Sequence, residues 1–491
     1  MSLAVAKSRY DPAADEDQKA RGKEAGFVDR RPVVRVAGRV MLSRDNGKLI
    51  WLNLRDASGD LQVAVSERDC PLNRETGSGG IELARLTDLG DLVVAEGPIV
   101  KTRTGEVTVW AGSLWPGAKS LVTPPEKWAG LQDAEVRYRQ RYVDMWATPE
   151  TVRAFQLRSK IVAQVRRYLD ERGFLEVETP VLQPIAGGAA ARPFKTHINA
   201  LDMPLFMRIA PELYLKRLLV GGMPRVYEVS RNFRNEGVDR SHNPEFTSLE
   251  VYEAYGDYNT MMGLVEGMIR SCAEVAAREL GYDAPRLPFG DLTIDYAKPF
   301  RRVRFEELFE RAIGCSMRDE SAVMRAAKDR HVKTADQKGT ALAPILIVNE
   351  LFEEHAEALI DPSEPTFVLD YPSVLSPLTR PREDDPVLAE RFDLFIGGME
   401  VGPAYTELND PDVQAAKFRE QLAGIDDEES TFRTYDEDFV HALRVGMPPA
   451  GGLGVGIDRL AMLLLNQRSI RDVILFPLMR PADRAADAGP A

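Results

Sequence analysis

Arginines, acids and aromatic rings are concentrated in two neighbouring segments near the middle of the chain. Residues 231–237 read Arg-Asn-Phe-Arg-Asn-Glu-Gly, and residues 241–252 read Ser-His-Asn-Pro-Glu-Phe-Thr-Ser-Leu-Glu-Val-Tyr. Arginine binds phosphate oxygens in a bidentate manner, and an aromatic ring can stack on a base. Arg234, the loop acid Glu236 and the ring of Phe246 therefore predict a site for a nucleoside triphosphate.

Two strands are needed to hold these side chains. Residues 225–230 and 246–255 both alternate apolar and polar residues, as half-buried strands do. The polar, basic stretch between them does not alternate in this way. We predict two antiparallel strands joined by a long loop.

A glycine-rich run, residues 451–456, lies near the carboxyl end of the chain. A dinucleotide-binding loop would follow a strand, open a helix and be matched by an acid about 20 residues later. Here the run itself alternates glycine with apolar residues, and the helical pattern starts only at about Asp458. The pattern favours a strand whose glycines let a ligand approach the backbone.

Three segments in order resemble the motifs of class II aminoacyl-tRNA synthetases, and of lysyl-tRNA synthetases in particular. Residues 231–252 resemble motif 2, and the glycine run with the helix after it resembles motif 3. A helix predicted to begin at residues 148–150 (Thr-Pro-Glu), followed by a strand over residues 174–180, resembles motif 1, which builds the dimer interface in that family. The resemblance extends from about Val33 to Pro481 and implies a homodimer.

The expected fold class is α+β, with an N-terminal OB-fold β-barrel and a C-terminal class II synthetase domain in which helices flank an antiparallel sheet. Five short alternating runs separated by turn residues predict the barrel, a fold that commonly binds single-stranded nucleic acid. These runs are residues 33–40, 49–54, 61–65, 92–95 and 106–110. The expected domains are a flexible or frayed leader over 1–31, the barrel over 32–123, a linker over 124–147, the catalytic domain over 148–483 with a helical insertion at about 299–359, and a flexible tail over 484–491.

The resemblance also implies roles for individual residues of this chain. Arg234 would bind the α-phosphate and the substrate carboxylate, and Arg459 the γ-phosphate. The implied ATP contacts are Arg234, Glu236, His242, Phe246 and Arg459. The implied lysine contacts are Gly188, Glu212, Glu250, Tyr252, Tyr405, Glu407 and Gly456. The implied ligands of Mg²⁺ are Asp393 and Glu400, and the implied anticodon contacts are Arg44, Trp51, Gln62 and Glu106.

Three positions depart from the family pattern. Asp393 stands where glutamate is more frequent, which shortens the reach to a metal ion by one methylene. Trp51 replaces a phenylalanine, and either ring can stack on a base, although Trp51 could instead be a core residue of the barrel. Pro403 replaces an asparagine that helps to hold the substrate, so both an amide side chain and a backbone N–H are lost.

Composition restricts the class of protein. The chain has 491 residues and a net charge of 63 − 76 = −13, so any contact with tRNA must come from local basic surface. Residues 137–144 (Arg-Tyr-Arg-Gln-Arg-Tyr-Val-Asp) either form such a contact, join the domains or form a solvated helix face. Three cysteines without paired spacing argue against disulfides and a zinc site and fit the cytoplasm. We see neither a signal peptide nor a membrane span.

The function implied by the resemblance is that of a lysine–tRNA ligase, which uses ATP to join lysine to tRNA(Lys). An aspartate or asparagine ligase has the same architecture, but acids in the slot suit a cationic side chain. Two alternatives stay open. The first is a paralogue with altered amino-acid tolerance, suggested by Pro403 and Asp393, and the second is a tRNA-binding protein without catalysis, against which Arg234, Glu236, Glu400 and Arg459 argue.

Overall fold

The computed structural model describes residues 1–122, 131, 133–189, 191–335, 342–422 and 435–481. The chain forms two compact units, Met1–Arg153 and Ala154–Ala491. The expected tail, 484–491, and part of the expected linker lie outside the described residues.

The first unit contains six strands and five short helices among its described residues. In chain order they are α1 (Leu3–Ser8), α2 (Pro12–Arg21), β1 (Val33–Asp45), β2 (Leu49–Asp56), β3 (Gly59–Ser66), α3 (Gly80–Arg85), β4 (Leu92–Lys101), β5 (Val107–Ala111), β6 (Ser113–Ala118), α4 (Ala134–Arg139) and α5 (Arg141–Ala147).

The strands of this unit close into a barrel. The sheet runs β1-β2-β3-β5-β4-β6, and β1 also pairs with β4, so five strands form a closed ring with β6 added outside it. Along β2, Ile50, Leu52 and Leu54 are buried, whereas the residues between them are only partly covered. This alternation fills the barrel with apolar side chains and leaves the outer face for other contacts. The predicted OB-fold, with its five runs, is confirmed.

The leader differs from the expectation of a flexible segment. Helix α1 places Leu3 and Ala6 at zero exposure within the barrel core. The amide of Leu3 donates a hydrogen bond of 2.8 Å to the Asp56 carboxylate. The two apolar side chains explain the difference, because they gain enough by burial to fix a helix of only six residues.

The basic segment 137–144 falls on α4 and α5. Arg141 is 1% exposed and forms an ion pair of 3.2 Å with the fully buried Asp144, which Arg137 also contacts at 2.9 Å. These contacts within the segment exclude a uniformly solvated helix face. A buried carboxylate with two guanidinium partners holds the segment in place.

The second unit carries the larger sheet and most of the helices. Its helices are α6 (Pro149–Asp170), α7 (Glu212–Val220), α8 (Tyr258–Leu280), α9 (Phe305–Ile313), α10 (Glu320–Asp329), α11 (Pro344–Leu351), α12 (Pro411–Leu422), α13 (Glu437–Gly446), α14 (Ile457–Leu464) and α15 (Ile470–Val473). Its strands are β7 (Leu175–Glu176), β8 (Leu182–Gln183), β9 (Lys195–Ile198), β10 (Met203–Met207), β11 (Arg225–Phe233), β12 (Glu245–Ala254), β13 (Arg286–Phe289), β14 (Leu292–Asp295), β15 (Arg301–Arg304), β16 (Thr366–Leu369), β17 (Arg391–Ile396), β18 (Met399–Thr406) and β19 (Ala450–Gly456). A π-helix (Phe352–Ala356) and two 3₁₀ helices (Glu357–Leu359, Ser373–Leu375) complete it.

Eight strands form the main sheet, in the order β15-β16-β17-β18-β19-β12-β11-β7. The predicted pair β11 and β12 is antiparallel, as expected, and the glycine run is strand β19 beside β12. Two edge pairings, β7 with β11 and β15 with β16, are parallel. Apolar side chains of α6, α8 and α14 pack against one face of this sheet and form its core.

The helix and strand predicted for motif 1 are both present. Helix α6 begins at Pro149, and Gly173 after it has a φ of 77°, a conformation that favours glycine. The strand is shorter than predicted, since only Leu175–Glu176 pairs with β11. It lies at the sheet edge.

The expected helical insertion contains α9–α11 and the π-helix among its described residues. Phe305 and Phe352 stack in a separate apolar cluster, with ring centroids 3.9 Å apart, and the ring of Tyr371 is tilted against Phe305. Its first residues form strand β15 and belong to the main sheet. Among the described residues, no helix is long and apolar enough to cross a membrane.

Candidate active site

A cavity of about 460 Å³ opens on the face of the main sheet opposite its helical core. Along β12, Leu249 and Val251 point into the core, so Ser248, Glu250 and Tyr252 point the other way. The cavity brings together twelve of the residues predicted for the site: Gly188, Glu212, Arg234, Glu236, His242, Phe246, Glu250, Tyr252, Glu400, Tyr405, Gly456 and Arg459.

Glycines in β19 make the floor of the cavity. Gly454 pairs with Glu250 and Gly452 pairs with Tyr252, so the long side chains of β12 stand beside bare backbone. A Cβ on Gly452 would collide with Glu407 Oε1 and with the ring of Tyr252. The glycine run therefore lets protein side chains approach the backbone closely, and the predicted approach of a ligand stays a prediction. The helix after the run begins at Ile457, one residue earlier than predicted.

One end of the cavity is basic. The guanidinium of Arg234 lies 5.1 Å from the ring centroid of Phe246, and burial lowers the pKa of Arg234, against the opposing charges of Glu236 and Glu250. The Arg234 Nε atom is buried and has no hydrogen-bond partner among the described residues. An unpaired guanidinium N–H is a donor available to an anionic ligand.

Arg459 lies at the same end and is held by two contacts. It donates a hydrogen bond of 2.6 Å to the backbone carbonyl of Glu400, and its other terminal nitrogen lies 3.1 Å from His242 Nε2. His242 Nδ1 in turn contacts Asp239 at 2.8 Å. These contacts hold Arg459 and His242 on the side of the cavity next to the loop that joins β11 and β12.

The other end of the cavity is acidic. Burial and the neighbouring charge of Glu212 raise the pKa of Glu250 to about 8, although Tyr252 donates a hydrogen bond of 3.1 Å to it. A Cβ on Gly188, which has a φ of 86°, would lie 3.2 Å from the Cβ of Glu212, so this position favours glycine. On the opposite wall, Tyr405 pairs with Gly452. A cation bound beside this carboxyl would lower its pKa and favour the carboxylate.

Glu407 does not line the cavity, and a lysine that the sequence reasoning missed explains its place. Lys216 is fully buried, lies 2.7 Å from Glu212 Oε1 and forms an ion pair with Glu407 Oε2. The two carboxylates raise the pKa of Lys216 against the effect of burial. The only signal in the sequence was the four-residue spacing of Glu212 and Lys216, which places both on one face of helix α7.

The two predicted metal ligands lie in different surroundings. Asp393 is 5% exposed and accepts hydrogen bonds of 2.9 and 2.7 Å from Arg391, so it is already paired. Burial and the charge of Asp393 raise the pKa of Glu400, which lines the cavity. No group of three potential metal-ligating side chains occurs within the described ranges. Glu400 has the donor type that Mg²⁺ prefers, while Asp393 supports it through charge rather than as a free ligand.

Pro403 lies in β18 just beyond the residues that pair with β19. Pairing between β18 and β19 runs from Thr406 to Ala404 and stops before Pro403, which has no N–H to donate. Gly402 beside it leaves no room for a Cβ, since one would collide with the carbonyl of Gly454. Proline therefore fits the end of the ladder and presents an apolar wall to the cavity.

The predicted anticodon residues share the outer surface of the barrel in the first unit. Trp51 is partly exposed between two inward-pointing residues and meets Trp110 edge to face, with ring centroids 6.3 Å apart. It is therefore not a core residue. Arg44 pairs with Trp51 across β1 and β2, and Gln62 accepts a hydrogen bond of 2.9 Å from Thr108.

Glu106 differs from the other three because an ion pair engages it. Its carboxylate lies 3.5 Å from Lys7 Nζ of helix α1. Both side chains are about half exposed, so the pair is weak and separable. Trp110 was not predicted as an anticodon residue. It lies two residues after Thr108 on β5, so the side chains of Trp110 and Thr108 point to the same side of the strand.

Comparison with known proteins agrees with this arrangement. The family model for class II tRNA synthetases (D, K and N) matches residues 133–480, and the model for an OB-fold nucleic acid binding domain matches residues 34–116. A lysine–tRNA ligase of Carboxydothermus hydrogenoformans is 47% identical over 93% of this chain and 90% of its own length. The lysine–tRNA ligases of Pelotomaculum thermopropionicum (47%, 93% and 88%) and Ectopseudomonas mendocina (46%, 96% and 91%) are similar to a comparable degree.

Proposed function

The chain belongs to the class II tRNA synthetases of the aspartate, lysine and asparagine group, and on that premise we propose that it is a lysine–tRNA ligase. The observation that carries this proposal is the cavity itself, with two arginines at one end and buried acids at the other. A substrate with a carboxylate, a chain of methylenes and a terminal ammonium matches those two ends.

The proposed reaction has two steps. The carboxylate of lysine attacks the α-phosphorus of ATP, the bond to the β-phosphate oxygen breaks, and diphosphate leaves. A hydroxyl of the 3′-terminal adenosine of tRNA then attacks the carbonyl carbon of lysyl-adenylate, and AMP leaves. Such chemistry requires positioning and charge stabilisation more than covalent help from the protein.

In this proposal Arg234 and Arg459 are the catalytic residues. Arg234 binds the substrate carboxylate and the α-phosphate through its unpaired N–H groups, and Arg459 binds the γ-phosphate. Phe246 stacks on adenine, while Glu236 and His242 line the nucleotide site. The partial burial of Arg234 strengthens its attraction to developing charge, because little water competes.

The acidic end is assigned to the side chain of lysine. Glu250 and Tyr252 receive the ε-ammonium, and Gly188, Glu212, Tyr405 and Gly456 form the walls. Glu407 lies next to this end and forms an ion pair with Lys216. Aspartate and asparagine do not suit this end, because their side chains carry no cation to balance a buried carboxylate.

We assign Mg²⁺ to the neighbourhood of Glu400, with Asp393 in support. The pair fits a cation, since Asp393 and Glu400 lie near a third acid, Glu357, whose pKa burial and acidic neighbours raise to about 7, although Arg391 and Arg459 also contact the pair. When bound, the ion would neutralise charge on the phosphates of ATP. The residues themselves orient the nucleotide: Glu400 fixes Arg459 through its carbonyl oxygen.

For the tRNA we propose anticodon binding on the barrel, through Arg44, Trp51, Gln62 and Glu106. Unstacked bases are recognised by aromatic stacking and by hydrogen bonds to their edges, and this surface offers both.

A homodimer through α6 and β7 is proposed from the resemblance of these elements to motif 1. The cytoplasm is the proposed compartment, supported by three cysteines that form no disulfide.

Exchange of labelled diphosphate into ATP tests the first step. Purified protein should catalyse this exchange only when lysine is present, and ornithine, aspartate and asparagine should be much poorer substrates. Charging of tRNA(Lys) in the presence of ATP tests the second step. Exchange that depends on another amino acid, or none at all, would refute the proposal. Charging without a preference for lysine over its analogues would favour the paralogue of altered tolerance.

A further inference from the structure

The loop between β11 and β12 contains a turn that the Asp239 carboxylate closes. Its Oδ1 atom accepts hydrogen bonds from the backbone N–H groups of Ser241 (2.7 Å) and His242 (2.8 Å) and from the Ser241 hydroxyl (3.1 Å). The Oδ2 atom instead lies 2.8 Å from Nδ1 of the His242 ring. The two oxygens therefore have separate roles, one toward the turn and one toward the imidazole.

The second nitrogen of the imidazole determines where the ring carries its proton. Nε2 of His242 lies 3.1 Å from a terminal nitrogen of Arg459. A guanidinium has only donors, so Nε2 must accept and the proton must be on Nδ1. Nδ1 then donates to the Asp239 carboxylate. The Ser241 hydroxyl, 3.2 Å from Nδ1, is compatible with this assignment, because its own proton is directed at Asp239.

The charge of Asp239 agrees with its role as an acceptor. Although burial acts in the opposite direction, hydrogen bonds from His242 and Ser241 hold the pKa of Asp239 well below its ordinary value. The Arg459 guanidinium is in turn held from two sides, since the backbone carbonyl of Glu400 accepts from one terminal nitrogen and His242 from the other. These two contacts fix the direction of the guanidinium.

We propose that Asp239 is a positioning residue for ATP, which fixes the tautomer of His242 so that Nε2 accepts from Arg459 and directs its guanidinium toward the triphosphate. This inference rests on the proposed function, in which Arg459 binds the γ-phosphate. Asp239 does not line the cavity, whereas His242 and Arg459 do. The opposite tautomer would set an Nε2–H against a guanidinium N–H, and the two donors would repel each other.

Asp239→Asn tests the proposal without changing the size of the side chain. Three donors converge on Oδ1, so the asparagine oxygen stays there and its NH₂ group faces Nδ1 of His242. A donor at that place favours the tautomer with the proton on Nε2, which loses the contact with Arg459. The KM for ATP in diphosphate exchange should rise about fivefold or more, while the KM for lysine stays within about twofold.

Asp202→Asn is the matched control. Asp202, in the turn between β9 and β10, lies 3.1 Å from Nε2 of His197 and forms a second exposed contact of aspartate with histidine. Its positive φ of 47° suits asparagine as well as aspartate. Neither residue lines the cavity, so the change should leave both KM values within about twofold.

NMR of protein labelled with ¹⁵N-histidine reports the tautomer directly, because protonated and bare ring nitrogens have different chemical shifts. The chain has 5 histidines, and comparison with His242→Ala assigns the signals of His242. At about pH 8, where a free imidazole is neutral, His242 should carry its proton on Nδ1 in the unaltered protein and on Nε2 in Asp239→Asn.

Combining the two changes separates an effect on the tautomer from an effect on the turn. His242→Ala should itself raise the KM for ATP. Adding Asp239→Asn to it should raise this KM by less than about twofold more, because Asp239 acts through the imidazole. A change that acted through the shape of the turn would raise the KM in both backgrounds.

Three results would overturn the role of Asp239: a proton on Nε2 of His242 in the unaltered protein, an unchanged KM for ATP in Asp239→Asn, or an equal rise in this KM with and without the imidazole. Thermal unfolding shows whether each variant is folded, and if Asp239→Asn is not, the tautomer of the unaltered protein decides alone. The tautomer is measured without substrates. Failure of the unaltered protein to exchange diphosphate with lysine would instead refute the proposed function, so the two failures are distinguishable.

Discussion

Lysine should bind more tightly as the pH rises from about 6 to about 8, because its ε-ammonium requires the ionised form of Glu250. Burial and the charge of Glu212 raise the pKa of that carboxyl to about 8 before lysine binds. The neutral carboxyl is therefore favoured before binding, whereas a bound ammonium favours the carboxylate. Binding must release a proton, and proton release makes affinity increase with pH.

The size of the change in lysine affinity follows from the fraction of Glu250 that is ionised at each pH. With a pKa of about 8, roughly one Glu250 in eleven is ionised at pH 7 and about one in two at pH 8. Apparent affinity scales with the fraction of competent sites, so the dissociation constant for lysine should fall about fivefold over this interval. Close to 0.9 proton, by the same estimate, should be released for each lysine bound at pH 7.

Isothermal titration calorimetry measures this release directly. Binding enthalpies in two buffers of different ionisation enthalpy give the number of protons, and the titration at several pH values gives the affinity. Glu250→Gln should bind lysine weakly and lose the pH dependence. Glu245→Gln, an exposed acid at the start of the same strand, serves as the matched control and should keep it.

A flat dissociation constant between about pH 6 and pH 8, together with no net proton release, would refute this reasoning. It would mean that Glu250 is already ionised before lysine binds. Proton release that persists in Glu250→Gln would assign the titration to a different group.

Three further changes test other parts of the molecule. Arg459→Lys removes the forked contacts to the Glu400 carbonyl and to His242, so the KM for ATP should rise about tenfold or more while the KM for lysine changes little in diphosphate exchange. Trp51→Ala should lower kcat/KM for tRNA about tenfold and leave exchange intact, because a base–aromatic stack contributes about 1–3 kcal/mol; equal charging would remove Trp51 from the anticodon site. Pro403→Asn should lower the KM for lysine up to about fivefold by restoring one hydrogen-bonding amide, and an unchanged KM would remove the motive for a paralogue of altered tolerance.

Local pattern predicted the elements that carry the site. The alternation in 225–230 and 246–255 is confirmed as β11 and β12, and the glycine run is confirmed as strand β19. Such patterns can be recognised in a sequence because the side chains of a strand point to the same face at every second residue, whatever lies beside the strand. The strand of motif 1 is shorter than its sequence indicates, since pairing depends on how far β11 extends next to it.

The leader shows where local pattern is insufficient. Residues 1–31 have little periodicity, yet Leu3 and Ala6 complete the core of the barrel. Two apolar residues in a short polar segment carry no recognisable signature. Their burial depends on barrel residues that come together only once the strands have closed.

The sequence by itself determined the types of residue available for chemistry: the arginines, the aromatic ring, the three pocket acids and the strands that bear most of them. Only the tertiary structure decided which of those acids is available to a substrate. Lys216 engages Glu212 and Glu407, and Arg391 engages Asp393, whereas Glu250 lines the cavity with no ion pair to a basic side chain among the described residues. The physical reason is that the ionisation and availability of a carboxylate depend on burial and on charges a few ångströms away, and Glu407 meets its partner only when distant parts of the chain pack together.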